Sequence, residues 1–289
     1  EGARPTESQV NTPFLLIRGA RQLVTLRGPA PRRGRQLQEL GLIEDGAVLV
    51  AGDRIHSVGP SRRMENIKES RGAKVFDATG KLVMPGFVDS HTHFLFPAAR
   101  LNDFERRIMG STYQEMGRSS GGIYATMHAL RQTSPLGLQM RASRWLRRFA
   151  ACGTTTVEGK SGYGLNRAAE FKSLRVMQRM NGHPIEVVRT FLAAHVPPPE
   201  HEATPDQYIT QVVERMLPEV RRRRLAEYCD VWCDRGAFGL DQCRRVLEAA
   251  RGLGLGLRLH ADQLSSAGAT RLGVELGAAS VDHLEQASD

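Results

Sequence analysis

Residues 82–93 read LVMPGFVDSHTH, an apolar segment that ends in a cluster of polar side chains. From there to residue 283, short apolar segments alternate with amphipathic ones in the order strand, helix, strand. This alternation is typical of a parallel sheet that is covered by helices. We therefore predict an α/β fold for this part of the chain.

Six strands are predicted in this part, with polar residues at their carboxyl ends. The strands lie near residues 83–90, 154–158, 185–192, 229–233, 256–260 and 279–283. The polar residues are His91, His93, Glu158, His195, Asp234, His260 and His283. A closed (β/α)8 barrel carries its chemistry at this end of its strands. An open doubly wound sheet is also compatible with the alternation, but no glycine-rich dinucleotide turn follows the first strand. We favour a TIM-type barrel with about six of its eight strands.

Amphipathic segments between the strands predict five helices. They span residues 135–151, 166–182, 204–224, 240–254 and 265–277. Thr204 is a suitable N-cap for the third of them, and Pro205 fits its first turn.

The first 82 residues follow a different pattern. Residues 14–27, FLLIRGARQLVTLR, are typical of a pair of extended apolar strands. Residues 46–60 contain two short β segments on either side of Gly52-Asp53, which predicts a hairpin. We predict that residues 1–82 form the β-rich part of a composite sandwich domain and that residues 83–289 form the barrel.

The composition of the 289 residues is that of a globular protein, with 40% hydrophobic residues. No apolar stretch approaches the length of a membrane span, and residues 1–10 lack the pattern of a secretory signal. The four cysteines form no C-x-x-C pair, which fits buried free thiols in a reducing compartment. We therefore expect a cytoplasmic protein with no membrane partner.

The net charge of +9 raises the question of nucleic-acid binding. The arginines, however, are scattered along predicted helices, and the only dense run is Arg221 to Arg224. Solvated helix faces explain this distribution better than a nucleic-acid-binding stripe does. We expect no nucleic-acid partner.

Four histidines at the ends of three predicted strands point to a metal site. His91 and His93 are two residues apart, so on an extended segment both imidazoles point the same way. His260 and His283 each end a further strand. A pair of hydrogen-bonded structural histidines would explain the H-x-H alone, but not all four positions. The donor set suits one divalent ion such as Zn²⁺, with Fe²⁺ as an alternative.

Several motifs give the chain a family resemblance that covers nearly all of it from about residue 14. The motifs lie at residues 83–93, 121–123, 153–165, 194–195, 236–238, 260–263 and 282–285. The first resembles the first-strand signature of the amidohydrolase superfamily. The set, above all the K-S-G-Y-G, H-A-D-Q and D-H-L-E runs, resembles the imidazolonepropionase family, which acts in histidine degradation.

The resemblance implies roles for the residues around the metal. His91, His93 and His260 correspond to ligands of one divalent ion, Zn or Fe. His283 corresponds to a catalytic residue that holds and activates the attacking water. Gln263 corresponds to a catalytic and substrate-binding residue, Glu or Gln, that recognises the substrate ring.

The resemblance also implies a substrate pocket. Arg100 is similar to the arginine that binds the propionate carboxylate, a pairing that a guanidinium makes well. Tyr163 and His195 resemble further substrate contacts. The implied reaction is hydrolysis of the cyclic amide bond of the small molecule 4-imidazolone-5-propanoate to N-formimidoyl-L-glutamate, the third step of histidine degradation. A homodimer is compatible with such barrels, although no interface can be identified from the sequence.

Other functions stay open at this point. Another cyclic-amide amidohydrolase or a purine deaminase would share the H-x-H and the later histidines, but it would not need Arg100 or the K-S-G-Y-G run. A catalytically impaired metal-binding protein is a second alternative.

The chain also departs from the family pattern. The family carries a last aspartate ligand on the eighth barrel strand, and this sequence ends at Asp289, just past the sixth strand. We therefore expect a C-terminally truncated chain that is inactive or poorly folded when alone. Smaller departures are Asp234 in place of Glu, Gly159 at a usually apolar position, and the loop at residues 96–99.

Overall fold

The computed structural model describes residues 13–111 and 121–288. Contacts within the chain divide it into two compact units, Glu1–Gly86 and Phe87–Asp289.

The first unit contains a five-stranded sheet in which β2 and β3 are antiparallel neighbours and β4 and β5 run parallel to β1. The strands are β1 (Phe14–Val24), β2 (Leu42–Ala51), β3 (Arg54–Pro60), β4 (Lys74–Asp77) and β5 (Leu82–Val83). Helix α1 (Ser61–Glu65) covers a small core in which Leu16, Leu49 and Met64 are buried. The hairpin predicted around Gly52-Asp53 is confirmed. The composite sandwich stays a prediction.

The strand pair predicted for residues 14–27 is wrong, because this segment forms the single long strand β1. Its pairing with β2 is interrupted by an irregularity between Ile17 and Ala20. Gly19 lies there with a φ of +73°, a conformation that glycine adopts without strain. The glycine therefore produces a bulge rather than a turn.

The second unit is built on a sheet of six strands, in which the order in space follows the order in the chain. The strands are β6 (Phe87–Asp89), β7 (Thr154–Lys160), β8 (Glu186–Ala194), β9 (Tyr228–Cys233), β10 (Gly256–Ala261) and β11 (Ser280–His283). All neighbouring pairs are parallel. The predicted α/β architecture and its six strands are confirmed.

Helices separate most of these strands, and every one except the first, which has no buried residue, buries apolar side chains. They are α2 (Leu101–Ile108), α3 (Gly122–Gln132), α4 (Pro135–Ala151), α5 (Arg167–Met180), α6 (Pro205–Gln211), α7 (Leu217–Arg222), α8 (Leu240–Gly252) and α9 (Ala269–Leu276). The side chains of Ser134 and Asn166 cap α4 and α5 by accepting backbone N–H bonds. Among the helices described, none has both the length and the apolarity to span a membrane.

The single helix predicted for residues 204–224 is interrupted. A π-helical turn over Val212–Met216 separates α6 from α7. Pro218 lies two residues beyond this turn, and without an N–H it cannot donate to the carbonyl of Glu214 four residues earlier. The wider turn accommodates this missing bond.

The six-stranded sheet is curled. Strands β6 and β11 lie at its opposite edges, so in a flat sheet they would be about 24 Å apart, five spacings of about 4.8 Å. Yet His91 Nδ1, just after β6, lies 3.0 Å from the Oδ2 atom of Asp282 in β11. The strand ends therefore face one another across the mouth of a half-barrel.

Candidate metal centre

Five histidines meet at the carboxyl ends of the sheet. His91 and His93 follow β6, His195 follows β8, His260 lies in β10 and His283 ends β11. Neighbouring ring centroids among them are 4.6 to 5.7 Å apart. The structure therefore brings together all four histidines that the sequence analysis assigned to the metal site, together with His195 from the predicted substrate pocket.

Nitrogen atoms of these rings form two overlapping sets, each with its atoms within 4.8 Å of one another. One set is His91, His260 and His283, and the other is His93, His195 and His260. The Nε2 atoms of His93 and His260 are 3.3 Å apart. Two ligands that bind one zinc ion tetrahedrally at 2.0–2.1 Å would be separated by about 3.3–3.4 Å. The cluster could thus hold a metal ion, and the shared His260 favours a single centre.

The H-x-H segment is held by hydrogen bonds to β7. Strand β6 itself ends at Asp89, but Lys160 N donates to Thr92 O at 3.1 Å, and the Thr92 hydroxyl donates to the carbonyl of Glu158. The extended path therefore continues beyond the strand. His91 and His93 stay on one side of it, with ring centroids 5.4 Å apart, as the spacing predicted.

The other histidines carry signs of a constrained site. His283 has a φ of +80°, in the left-handed region that residues other than glycine rarely adopt. His195 Nδ1 lies 2.9 Å from Gly162 O, and since a carbonyl only accepts, Nδ1 is the donor and Nε2 keeps its lone pair. Burial lowers the pKa of His195 to about 3 and that of His93 well below its usual value. Both rings are therefore neutral, the form that binds metal.

A network of buried charges lies beneath the histidines. Lys160 Nζ donates to Glu158 Oε1 at 2.9 Å and to Asp230 Oδ2 at 2.6 Å, and it lies 3.6 Å from Asp282 Oδ2. Burial raises the pKa of Glu158. Burial acts the same way on Asp230, but His260 and Lys160 outweigh it and hold the pKa of Asp230 well below its usual value. These carboxylates in turn raise the pKa of Lys160 against the effect of burial.

Two sequence expectations need comment here. Glu158 was predicted to end a strand at the barrel mouth, but β7 continues to Lys160, and Glu158 belongs to the buried network instead. Sequence reasoning missed Lys160, Asp230 and Asp282. The sequence did contain a signal for the buried network, because Glu158 and Lys160 are charged residues two positions apart in a strand that lies between apolar strands.

Arg100 and Tyr163 lie beside the histidines. The Arg100 Cζ atom is 5.3 Å from the centroid of the Tyr163 ring, and Arg100 Nε donates to Thr126 Oγ1 at 2.7 Å. The Tyr163 ring is 5.5 Å from that of His93 and 5.7 Å from that of His195. The guanidinium, the phenol and the imidazoles thus line one continuous region.

The loop that carries Tyr163 is fixed by Glu170 of α5. Its fully buried carboxylate accepts backbone N–H bonds from Gly162 at 2.8 Å, Gly164 at 2.6 Å and Leu165 at 2.8 Å. Gly162 has a φ of +102°, and a Cβ there would lie 2.9 Å from a backbone oxygen, so only glycine fits. Its carbonyl is also the acceptor for His195.

Gln263 lies in the loop after β10, three residues beyond His260. Asp234 holds this loop, because its Oδ2 atom accepts the backbone N–H groups of Gln263 at 2.8 Å and Leu264 at 2.7 Å. The backbone of Gln263 is therefore placed close to the cluster, and its role as a substrate contact stays a prediction.

Comparison with known proteins agrees with this geometry. A model of the amidohydrolase family matches residues 74–126. Imidazolonepropionase of Geobacillus kaustophilus (strain HTA426) is 44% identical over 280 residues, which cover 95% of this chain and 66% of the relative. Imidazolonepropionase of Alkaliphilus metalliredigens (strain QYMF) is 42% identical over 277 residues, with the same coverage. The chain thus spans about two thirds of the length of these relatives.

Solved structures show the same fold at much lower identity. Ochratoxinase of A. niger has a TM-score of 0.59 and 17% identity, covering 96% of this chain and 62% of its own. Guanine deaminase of E. coli has a TM-score of 0.54 and 14% identity, covering 86% and 53%. In fold and sequence, then, the chain is an amidohydrolase. Within that class it belongs to the imidazolonepropionase family.

Proposed function

We propose that the protein hydrolyses the cyclic amide bond of 4-imidazolone-5-propanoate to N-formimidoyl-L-glutamate. The observation that carries the proposal is the placement of Arg100 and Tyr163 beside the histidine cluster. A substrate with a ring amide and a carboxylate side arm needs a hydrolytic centre and a cationic group within one pocket. Relatives that are 42–44% identical carry the name of this activity.

The metal would be one divalent ion, Zn or Fe, held by His91, His93 and His260. Support comes from the 3.3 Å separation of the Nε2 atoms of His93 and His260, and from the ring nitrogens of His91, His260 and His283, which lie within 4.8 Å of one another. When bound, such an ion supplies an acidified water as nucleophile near neutral pH.

The remaining residues would divide between water and substrate. His283, with its ring 5.2 Å from those of His91 and His260, holds the attacking water and takes up its proton. Water adds to the ring carbonyl carbon, the ring C–N bond breaks, and the leaving nitrogen receives a proton, so one water is consumed for each ring opened. Gln263 contacts the ring through its amide.

On the substrate side, Arg100 binds the propionate carboxylate, and this pairing fixes the orientation of the ring. Tyr163 packs against the guanidinium and offers its hydroxyl to the substrate. His195 presents its Nε2 lone pair as an acceptor, because Gly162 O occupies its Nδ1 proton.

The wider setting of the proposal follows the sequence analysis. The barrel has eight strands in the whole protein, and residues 1–82 contribute to a sandwich domain. The protein acts in the cytoplasm on a small molecule, without a nucleic-acid or membrane partner, and its barrel is compatible with a homodimer.

The test is a hydrolysis assay on the protein expressed from its gene, with the 289-residue chain assayed in parallel. Each is supplied with Zn²⁺ or Fe²⁺ and offered 4-imidazolone-5-propanoate or guanine, and the products are identified by mass spectrometry. With the protein expressed from its gene we expect N-formimidoyl-glutamate from the first substrate and no xanthine from the second, whereas the 289-residue chain alone should turn over neither. Guanine turnover, or no turnover of either substrate by the metal-loaded protein, would overturn the proposal.

A further inference from the structure

Lys160 occupies the centre of the charge network beneath the histidines. Its side chain is fully buried, and its ammonium group contacts carboxylates from three strands, namely Glu158 of β7, Asp230 of β9 and Asp282 of β11. Burying an ammonium group is costly unless several such partners compensate for the lost water. Lys160 thus links strands from the middle and one edge of the curled sheet.

Two of these carboxylates connect Lys160 directly to metal-site histidines through single oxygen atoms. Asp230 Oδ2 lies 2.6 Å from Lys160 Nζ and 3.0 Å from His260 Nδ1. Asp282 Oδ2 lies 3.6 Å from Lys160 Nζ and 3.0 Å from His91 Nδ1. Each of these oxygen atoms contacts the ammonium group and one imidazole at the same time. The ammonium group therefore helps to hold each carboxylate in place behind its histidine ring.

The contacts also determine which nitrogen of each ring carries the proton. A carboxylate oxygen only accepts hydrogen bonds, so these 3.0 Å contacts favour a proton on Nδ1 of His91 and of His260. The lone pair is then on Nε2, the atom with which His260 approaches His93. A carboxylate behind a ligand histidine fixes both the tautomer and the orientation of its ring.

We propose that Lys160 is a positioning residue of the metal centre, which acts through Asp230 on His260 and through Asp282 on His91. One buried cation thereby sets the ligand tautomer on two strands at once. The inference rests on the proposed metal site but not on the identity of the substrate, so it is tested with metal alone.

The first experiment measures the affinity of the protein expressed from its gene for Zn²⁺ by competition with a chromophoric chelator. Lys160→Met keeps the length of the side chain and removes its charge. We expect it to weaken zinc binding roughly 10–100-fold, the effect typical of losing a group behind a ligand. Lys172→Met is the matched control, because Lys172 Nζ donates to the carbonyls of Leu130, Arg131 and Thr133, away from the histidines. It should bind zinc within about twofold of the wild type, whatever its stability.

The second experiment needs no variant that could unfold. In the metal-free wild type labelled with ¹⁵N-histidine, NMR distinguishes the two imidazole tautomers. The inference requires Nδ1–H for both His91 and His260, and an Nε2–H tautomer at either ring overturns it. In Lys160→Met both rings should lose this preference, which a purely structural lysine would not cause.

If Lys160→Met does not fold, the charge-balanced pair Lys160→Met/Asp282→Asn removes one charge of each sign and is compared with Asp282→Asn alone. The double variant should bind zinc at least threefold more weakly than the single variant, because the contact between Lys160 and Asp230, which lies behind His260, is then also lost. Equal affinities, or a folded Lys160→Met that binds zinc within twofold of the wild type, would overturn the inference. A failure of the hydrolysis assay alone would leave it intact.

Discussion

Replacement of Asp234 by asparagine tests how the loop carrying Gln263 is held. The carboxylate is nearly fully buried and accepts four hydrogen bonds. Oδ1 accepts from Arg235 N at 2.6 Å and Ser265 Oγ at 2.5 Å, and Oδ2 accepts from Gln263 N at 2.8 Å and Leu264 N at 2.7 Å. In Asp234→Asn an NH₂ group replaces one oxygen. With the NH₂ group toward Ser265, the hydroxyl turns to accept from it, so one of the four bonds, the one from Arg235 N, is lost.

The cost follows from these contacts. A hydrogen bond to a charged group contributes roughly 1.5–3 kcal/mol, so the loss of the Arg235 bond amounts to about that much. The neutral amide is easier to bury than the carboxylate, and this offsets part of the loss. We expect the free energy of unfolding of the second unit to decrease by about 2 kcal/mol.

Tryptophan fluorescence in a urea titration measures this change, because both tryptophans, Trp145 and Trp232, lie in the second unit. Glu248→Gln makes the same carboxylate-to-amide change at an exposed i,i+4 ion pair with Arg244, and should cost no more than about 0.5 kcal/mol. An Asp234→Asn chain whose unfolding free energy is within about 1 kcal/mol of the wild type would refute the reasoning.

Further predictions concern the substrate, pH and the thiols. In steady-state kinetics, Arg100→Ala should lower kcat/KM for 4-imidazolone-5-propanoate by about 100-fold, mostly through a higher KM. Arg141→Ala, which removes an exposed arginine, should leave kcat/KM unchanged. Equal losses in the two variants would count against the contact between Arg100 and the substrate carboxylate. Burial raises the pKa of Glu170 above 4.5, so its contribution to stability is complete below that pH and is lost as pH rises through the folded pKa. Urea titrations of Glu170→Gln between pH 4.5 and 8 should show a weaker decline than the wild type, and parallel curves would contradict this. A colorimetric thiol assay should detect one reactive cysteine, the exposed Cys152, in the native chain and four after unfolding. The other three cysteines, Cys229, Cys233 and Cys243, are buried, and burial raises the pKa of the Cys229 and Cys243 thiols. Rapid labelling of these three thiols in the native chain would contradict their burial.

The sequence predicted the parts of the site that depend on local pattern. Apolar segments alternating with amphipathic ones placed β10 and β11, and each carries a histidine near its end. Because parallel strands of one sheet end at the same edge, His260 and His283 could be expected near the H-x-H pair without any knowledge of distances.

The network beneath the histidines was not predictable in this way. The position of Asp282 depends on the register of β10 and β11, in which His260 is paired with Asp282. A shift of this register by one residue would turn the Asp282 side chain to the other face of the sheet. The contact of Asp282 with His91 depends in addition on the curl of the whole sheet. Neither property is encoded in a local stretch of sequence.

Two departures within elements have local causes that the sequence did contain. Gly19 allowed a bulge in β1 where two strands were predicted, and Pro218 produced a π-helical turn where one helix was predicted. Both residues were visible, but each is compatible with more than one structure, and packing decides between them.

The central claim is that these histidines form one metal centre, and His260 tests it most directly because it belongs to both nitrogen sets. The measurement is zinc binding by the purified protein expressed from its gene, by its His260→Ala variant and by its His128→Ala variant, in which an exposed histidine of α3 is removed. The account predicts about one bound ion for the wild type and for His128→Ala, and affinity at least about 100-fold lower for His260→Ala. Zinc binding by His260→Ala that equals that of the wild type would contradict it.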